Sequence, residues 1–156
     1  MQVDFQMPER LGAEYVADDN TRKVPVMLHR AIVGSLERFI GILIEHYAGA
    51  FPLWLAPVQM EICPVSEKVA DYAKHVTETL KRHNLRVHLD DRNEKLPAKI
   101  RDAQLQKIPY MLVVGPKEAE AGTVSVRHRS KGDLGPKPLA ELVEALQREV
   151  DSRATS

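Results

Sequence analysis

The side chains of this 156-residue sequence best suited to chemistry are His29, Arg38 and Cys63, and none sits in a complete catalytic pattern. There is no glycine-rich phosphate loop, no helix with paired histidines and no nucleophile beside a base. His29 could ligate a metal, but such a site needs three or four convergent ligands, and without them a histidine at a strand end reads as a structural residue. Arg38 lies within an apolar helical pattern. A guanidinium there must pair, with Glu37 or Glu45 as the nearest candidates, or be held for an anionic or aromatic ligand. Cys63, between Ile62 and Pro64, is the only cysteine. An internal disulfide and a thiolate-rich metal site are therefore excluded, and a reducing cytosol is the natural compartment. Residues 81–107 hold eight basic and four acidic side chains, on a chain whose 22 basic and 22 acidic residues otherwise cancel. That local excess is either a solvated helix face or a phosphate-attracting patch.

The elements that must position these residues follow from hydrophobic period. Val3 and Phe5 alternate with Gln2, Asp4 and Gln6, which predicts a strand; Pro8-Glu9-Arg10 breaks it, and Ala13–Val16 predicts another strand before an Asp18-Asp19-Asn20 turn. Pro25–Leu28 reads as a buried strand ending at His29. From Ile32 the period changes: Ile32, Leu36, Phe39, Ile40, Leu43 and Tyr47 fall on one helical face, and Ala48-Gly49 ends the helix. Phe51–Pro57 brackets large apolar residues with prolines and reads as an ordered, docked linker. Beyond it come strand Val58–Cys63, helix Glu67–His83, strand Arg86–Leu89, helix Ala98–Lys107 and strand Tyr110–Val114. Strands separated by helical crossovers predict parallel pairing. A Glu120-Ala121-Gly122 turn leads to strand Thr123–Arg129, and Leu139–Val150 is a closing amphipathic helix. The expected organisation is a first domain over 1–50, a linker over 51–57, a second domain over 58–152 and a frayed tail over 153–156. The longest apolar stretch, Ile40–Ile44, is too short to cross a bilayer, and the N-terminus shows no leader pattern.

The string from His29 through Arg38 to Leu43 resembles motif 3 of threonyl-tRNA synthetases. Pro8-Glu9-Arg10, Asp19-Asn20, Pro25-Val26-Met27, Phe51–Gln59, Asp91–Lys95 and Ile108–Val113 are similar to the same family, so the likeness covers nearly the whole chain. It implies an α/β fold: a partial antiparallel α+β remnant of a class II catalytic domain, then a mixed, largely parallel sheet flanked by helices, the class II anticodon-binding domain.

For the first domain the resemblance implies that Arg38 lies against the adenine of ATP and reaches its terminal phosphate, with Gly34 allowing close approach and Ser35 a further polar contact. It makes His29 one of three ligands of a zinc that accepts the amino and hydroxyl groups of threonine, and Gln2 a substrate-side residue. The cofactors implied are ATP with Mg2+, and zinc. The other zinc ligands and the remaining catalytic motifs lie outside this sequence, so the chain alone is expected to bind no cofactor tightly and to be inactive. For the second domain the resemblance implies that Asn93, Arg101, Glu118 and Arg127, with Lys107 where an arginine is common, read the anticodon of threonine tRNA. Unstacked bases expose their Watson–Crick edges, and Glu118 suits a guanine-type N–H edge. Threonine and ATP in the parent enzyme, and the homodimer of the family, are the other implied partners, with neither DNA nor membrane among them. A stand-alone tRNA-binding or regulatory module is the alternative. A histidyl, prolyl or glycyl relative is disfavoured by His29 directly ahead of motif 3.

Overall fold

A computed structural model describes residues 1–155, which divide into two compact units between Leu43 and Ile44. In the first unit, strand β1 (Gln2–Asp4) pairs antiparallel with β4 (Met27–His29), and β2 (Tyr15–Val16) pairs with β3 (Arg22–Lys23) across the Asp18–Asn20 turn. Pro8-Glu9-Arg10, expected only to break the strand, forms a helical turn, α1 (Met7–Arg10). The Asp4 carboxylate accepts the backbone N–H groups of Gln6 (2.9 Å) and Met7 (3.0 Å), and Pro8 fits a first helical turn because no N–H is needed there. These two backbone bonds, and then His29, hold the Asp4 carboxyl below its usual range.

The strand ending at His29 is not buried. Leu28 is 59% exposed, and Pro8 is the one buried residue of the unit. Two-stranded sheets with no covering layer cannot enclose a core. Helix α2 (Leu36–His46) carries its apolar stripe equally uncovered, with Leu36, Ile40 and Ile42 all exposed.

The second unit is built on a five-stranded mixed sheet in the order β6-β5-β7-β8-β9. Strands β5 (Met60–Pro64), β6 (Val87–Leu89) and β7 (Tyr110–Val114) are parallel; β8 (Thr123–His128) and β9 (Gly132–Pro138) continue antiparallel. The crossovers are α3 (Ala70–Arg82), after a 3-10 turn at Glu67–Val69, and α4 (Leu96–Leu105); α5 (Pro116–Ala121) and α6 (Leu139–Ser152) complete the unit. Side-chain alternation divides the sheet. Met60, Ile62, Leu112, Val124 and Val126 meet α3 and α6 through Val76, Leu80, Leu142 and Leu146. Met111 instead packs with Ala103, Ile100 and Ile108 on the α4 side. Each of the larger buried aliphatics contributes about 1.5–3 kcal/mol, which makes this double-faced sheet the stable scaffold.

Two elements here escaped the sequence reading. Helix α5 occupies the stretch ahead of the expected turn, and Gly122, its left-handed C-cap, is what the sequence signalled. Strand β9 contains Gly132, Gly135, Pro136 and Pro138 and carries no strand signal, yet it forms the sheet edge, where a missing N–H leaves no ladder bond unmade. The expected linker packs into this unit: Leu53 and Ala56 are buried, and the buried Gln59 amide donates to the Leu53 carbonyl at 2.9 Å.

Cys63 lies fully buried on the α4 face, and burial pushes its thiol up to about 12. Its thiolate is therefore scarce at neutral pH. The native chain should react with a thiol-specific disulfide reagent only at the rate of unfolding, and become fully reactive in denaturant; rapid labelling of native protein would contradict this placement.

Candidate nucleic-acid interface

Along β8, Ser125 and Arg127 alternate with Val124, Val126 and His128, which are buried, so the first pair lies on the α4 face of the sheet. Arg127 stands opposite Met111, the residue that packs against Ala103 of α4, and its guanidinium lies 3.9 Å from Asp133 on β9. Glu118, in the first turn of α5, is tied to the same strand: Oε1 accepts the Ser125 hydroxyl at 3.0 Å, and Oε2 accepts the Gly115 N–H at 2.9 Å. A Cβ on Gly115 would sit 2.7 Å from that Oε2, so glycine permits the turn that presents the carboxylate. Glu118 thus caps its own helix, and the second lone pair on each oxygen remains for a ligand. Arg101 projects from α4, 73% exposed, with Asp102 at 3.7 Å as its nearest carboxylate. The fold therefore places Glu118 and Arg127 on one face of β7–β8 and Arg101 on the helix covering that face.

Asn93 sits in the loop after β6, which a salt-bridge clamp holds. Asp90, 1% exposed, receives Arg92 in a two-pronged pair (2.9 and 2.7 Å), and Arg92 also donates to Asp102 of α4 at 3.1 Å. Arg92 holds the Asp90 carboxyl below its usual range. Lys99, 3% exposed, donates to the Asp90 carbonyl at 2.9 Å and to the Pro64 carbonyl at 3.4 Å. Sequence reasoning did not single out Asp90 or Lys99 because charge alone does not reveal burial.

Half of the eight basic side chains over 81–107 are engaged by the fold, although only Lys99 is buried. Besides Arg92 and Lys99, Arg86 donates to the carbonyls of Ala56 and Trp54, and Lys107 donates to that of Ala48. Lys107 precedes β7 whereas Glu118 follows it, so the strand separates the two by roughly 16 Å. Instead of joining the other candidates, Lys107 secures the segment leaving α2, and its carbonyl accepts Arg129 at 2.6 Å. Arg129 also donates to the carbonyls of Ala50 (3.2 Å) and Phe51 (3.1 Å), and burial lowers its pKa. Arg129→Met leaves these acceptors unpaired and should cost about 2 kcal/mol in urea unfolding, with Arg129→Lys recovering only part; an unchanged midpoint for the methionine variant would contradict the role.

In the first unit, β1–β4 pairing sets Gln2 directly beside His29, whose Nε2 lies 3.1 Å from Asp4 Oδ2. No cluster of three potential ligands occurs among the described residues, and one imidazole with one carboxylate does not fit a complete tetrahedral zinc site. Gly34 lies ahead of α2 rather than within it and adopts φ +71°, a conformation L side chains rarely take. The Ser35 hydroxyl donates to Glu37 at 2.7 Å and faces the Arg38 N–H at 3.4 Å, a weak N-terminal cap. Glu37 is thereby engaged with serine, and the Arg38 guanidinium makes no ion pair among the described residues. The internal bridge to Glu37 or Glu45 does not form. Among the described residues no helix is long and apolar enough to cross a membrane.

Comparison with known proteins gives concordant results. Residues 59–149 match the family described as anticodon binding domain, and residues 1–47 match the tRNA synthetase class II core domain (G, H, P, S and T). Over 154 residues, 99% of this chain, it is 61% identical to a threonine–tRNA ligase of Janthinobacterium sp. (strain Marseille) and 58% to that of Caldanaerobacter subterraneus subsp. tengcongensis. The chain spans 24% of the length of each of these relatives. Among solved structures, the RNA-binding domain of threonyl-tRNA synthetase from Cryptosporidium parvum Iowa II is similar with a TM-score of 0.71 and 36% identity, over 95% of this chain and 38% of that one.

Proposed function

We infer that this chain, which belongs to the anticodon-binding domain family, is the tRNA-reading part of a threonine–tRNA ligase together with an edge of its catalytic core. The single observation that carries the reading is the unbroken likeness to threonine–tRNA ligases through both units, at 61% identity over 154 residues. The parent reaction joins threonine to its tRNA through an ATP-derived adenylate. Residues 1–50 supply part of its nucleotide pocket, residues 51–57 the link and residues 58–152 the anticodon-binding domain.

In that pocket, the unpaired Arg38 stacks on the adenine and donates to phosphate, with Gly34 and Ser35 shaping the entry to its helix. When zinc is bound in the parent enzyme, it distinguishes threonine from valine through the hydroxyl; this chain supplies only His29, beside Gln2 on the adjacent strand. Within the second domain, Asn93, Arg101, Glu118 and Arg127 read splayed anticodon bases, with Lys107 reduced to a structural tie or a phosphate attraction. ATP with Mg2+, threonine, threonine tRNA and a second copy of the enzyme are the partners, and the cytoplasm is the compartment.

The test is binding of the complete chain to the anticodon stem-loop of threonine tRNA, followed by fluorescence anisotropy. With about three phosphate contacts, affinity should fall on the order of a hundredfold for a tenfold rise in salt. Equal affinity for stem-loops with scrambled anticodons would sink the assignment.

A further inference from the structure

The loop over residues 129–131, which joins β8 to β9, is closed by a ring nitrogen. His128 ends β8 and is 4% exposed; its Nδ1 accepts the backbone N–H groups of Ser130 and Lys131, both at 3.2 Å, and the Ser130 hydroxyl at 3.1 Å. We propose that His128 is a positioning residue for Arg127, holding the β8–β9 hairpin in the register that presents Arg127 to RNA, and that it does so only as a neutral imidazole. The role rests on the tRNA reading above, and His128 itself touches no base.

A slip of one residue in a hairpin turns every side chain to the other face, so the turn that sets the register matters. Pairing is irregular directly beside this one: Arg127 faces Asp133 and Val126 faces Gly135, which leaves Leu134 as an extra residue on β9. Within that bulge Asp133 Oδ1 accepts the Gly135 N–H at 2.9 Å, while Oδ2 lies 3.9 Å from the Arg127 guanidinium. The bulge and the ring-closed turn bracket the Arg127–Asp133 pair. They fix where the arginine starts from and leave its guanidinium free to turn. Backbone N–H groups can only donate, so Nδ1 must offer a lone pair and the neutral ring carries its proton on Nε2. Protonation at Nδ1 sets an N–H against two N–H groups, and only the Ser130 hydroxyl could then accept. The surroundings resist that charge. Burial first, and then Lys131, lower the imidazole pKa, with Arg129 adding to them and Glu149 opposing. Glu149 comes from α6 and accepts the Tyr110 hydroxyl at 2.7 Å, and the Tyr110 ring on β7 meets the imidazole edge-on at 4.7 Å. From β9 the residue opposite is Gly132, which carries no charge. Because the folded-state pKa lies below the ordinary 6.5, the folded ring binds fewer protons than the unfolded one. The latch is complete above the ordinary value and opens as pH falls through the depressed one.

Two measurements on the full chain test this. Imidazole nitrogen resonances should show the Nε2–H tautomer of His128 at neutral pH and a titration midpoint below about 6.5, and the Ser130 and Lys131 amide resonances should shift with that same midpoint. An Nδ1–H tautomer, or amides indifferent to the titration of the ring, would overturn the latch. Fluorescence anisotropy with the anticodon stem-loop of threonine tRNA supplies the second readout. On acidification through the midpoint, wild-type affinity should weaken on the order of tenfold relative to His128→Asn, whose amide oxygen can accept the same N–H groups without titrating. His128→Phe keeps the ring but no acceptor, and at neutral pH it should bind as weakly as the acidified wild type. In an Arg127→Ala background these differences should vanish, which a merely structural histidine would not produce. Circular dichroism verifies the folding of each variant. Parallel pH profiles for wild type and folded His128→Asn, or the same acid-dependent loss with and without Arg127, would overturn the positioning role. Failure of the wild type to bind any stem-loop at neutral pH would remove the tRNA reading and the positioning role with it, while the resonances, recorded without RNA, still decide the latch.

Discussion

Asp90→Ala should lower the unfolding free energy by about 1.5–3 kcal/mol, because it removes a buried carboxylate that accepts charge-assisted hydrogen bonds from a half-exposed arginine. The Asp90 carboxylate is 1% exposed and accepts three hydrogen bonds from Arg92, two from the guanidinium and one from the backbone N–H at 3.1 Å. Its removal leaves Arg92 with Asp102 alone, and leaves the buried Lys99 ammonium with its two carbonyl acceptors. Asp90→Asn keeps the shape but loses the charge, which separates electrostatics from packing. Since Arg92 depresses the folded-state pKa of Asp90, the folded chain binds fewer protons there than the unfolded chain. The stabilisation is complete above the ordinary carboxylate pKa and is lost as pH falls through the depressed value. Urea unfolding should therefore show a wide gap between wild type and Asp90→Asn at pH 7 that narrows steadily below about pH 4. An equal gap at both ends would mean that the carboxylate is not ionised in the fold.

The same cluster marks the limit of what the sequence revealed. Strand β7 and the apolar faces of α3 and α6 were legible because their periodicity reflects burial between two layers. Strand β9 was not, since the prolines that forbid a central strand are acceptable at an edge. The short α5 was hidden because its six residues contain no buried side chain and only Gly122 signals its end. Among the candidate residues, Glu118 and Arg127 were placed on one face by the two-residue period of β8 and the Ser125 hydrogen bond. Lys107 could not be placed from sequence: its role depends on Ala48, 59 residues away. The basic surplus stayed ambiguous for the same reason, because several of its cations are bound to carbonyls and carboxylates that are distant in sequence or hidden from composition.

The proposed anticodon surface should respond most strongly at Arg127 and Glu118, where substitution is expected to cost about 1–3 kcal/mol of stem-loop binding each. Arg127→Ala removes a charged fork only loosely held by Asp133 at 3.9 Å, so the arginine is free to reorient onto RNA and its loss disturbs the fold little. Glu118→Ala is a poorer probe, since it also removes the acceptor of the Gly115 N–H and costs on the order of 1 kcal/mol of helix capping. Glu118→Gln solves that difficulty. Its amide oxygen can still accept from Gly115, while its NH2 group replaces an acceptor by a donor where the base edge should meet it. The cognate stem-loop should then weaken while thermal stability stays close to wild type, and discrimination against altered anticodons should shrink. Because both side chains stand on the β7–β8 face and would address neighbouring bases, their effects should be less than additive in a double-mutant cycle. Full additivity would mean that the two residues act at independent places, and unchanged discrimination in both variants would move anticodon reading elsewhere on the domain.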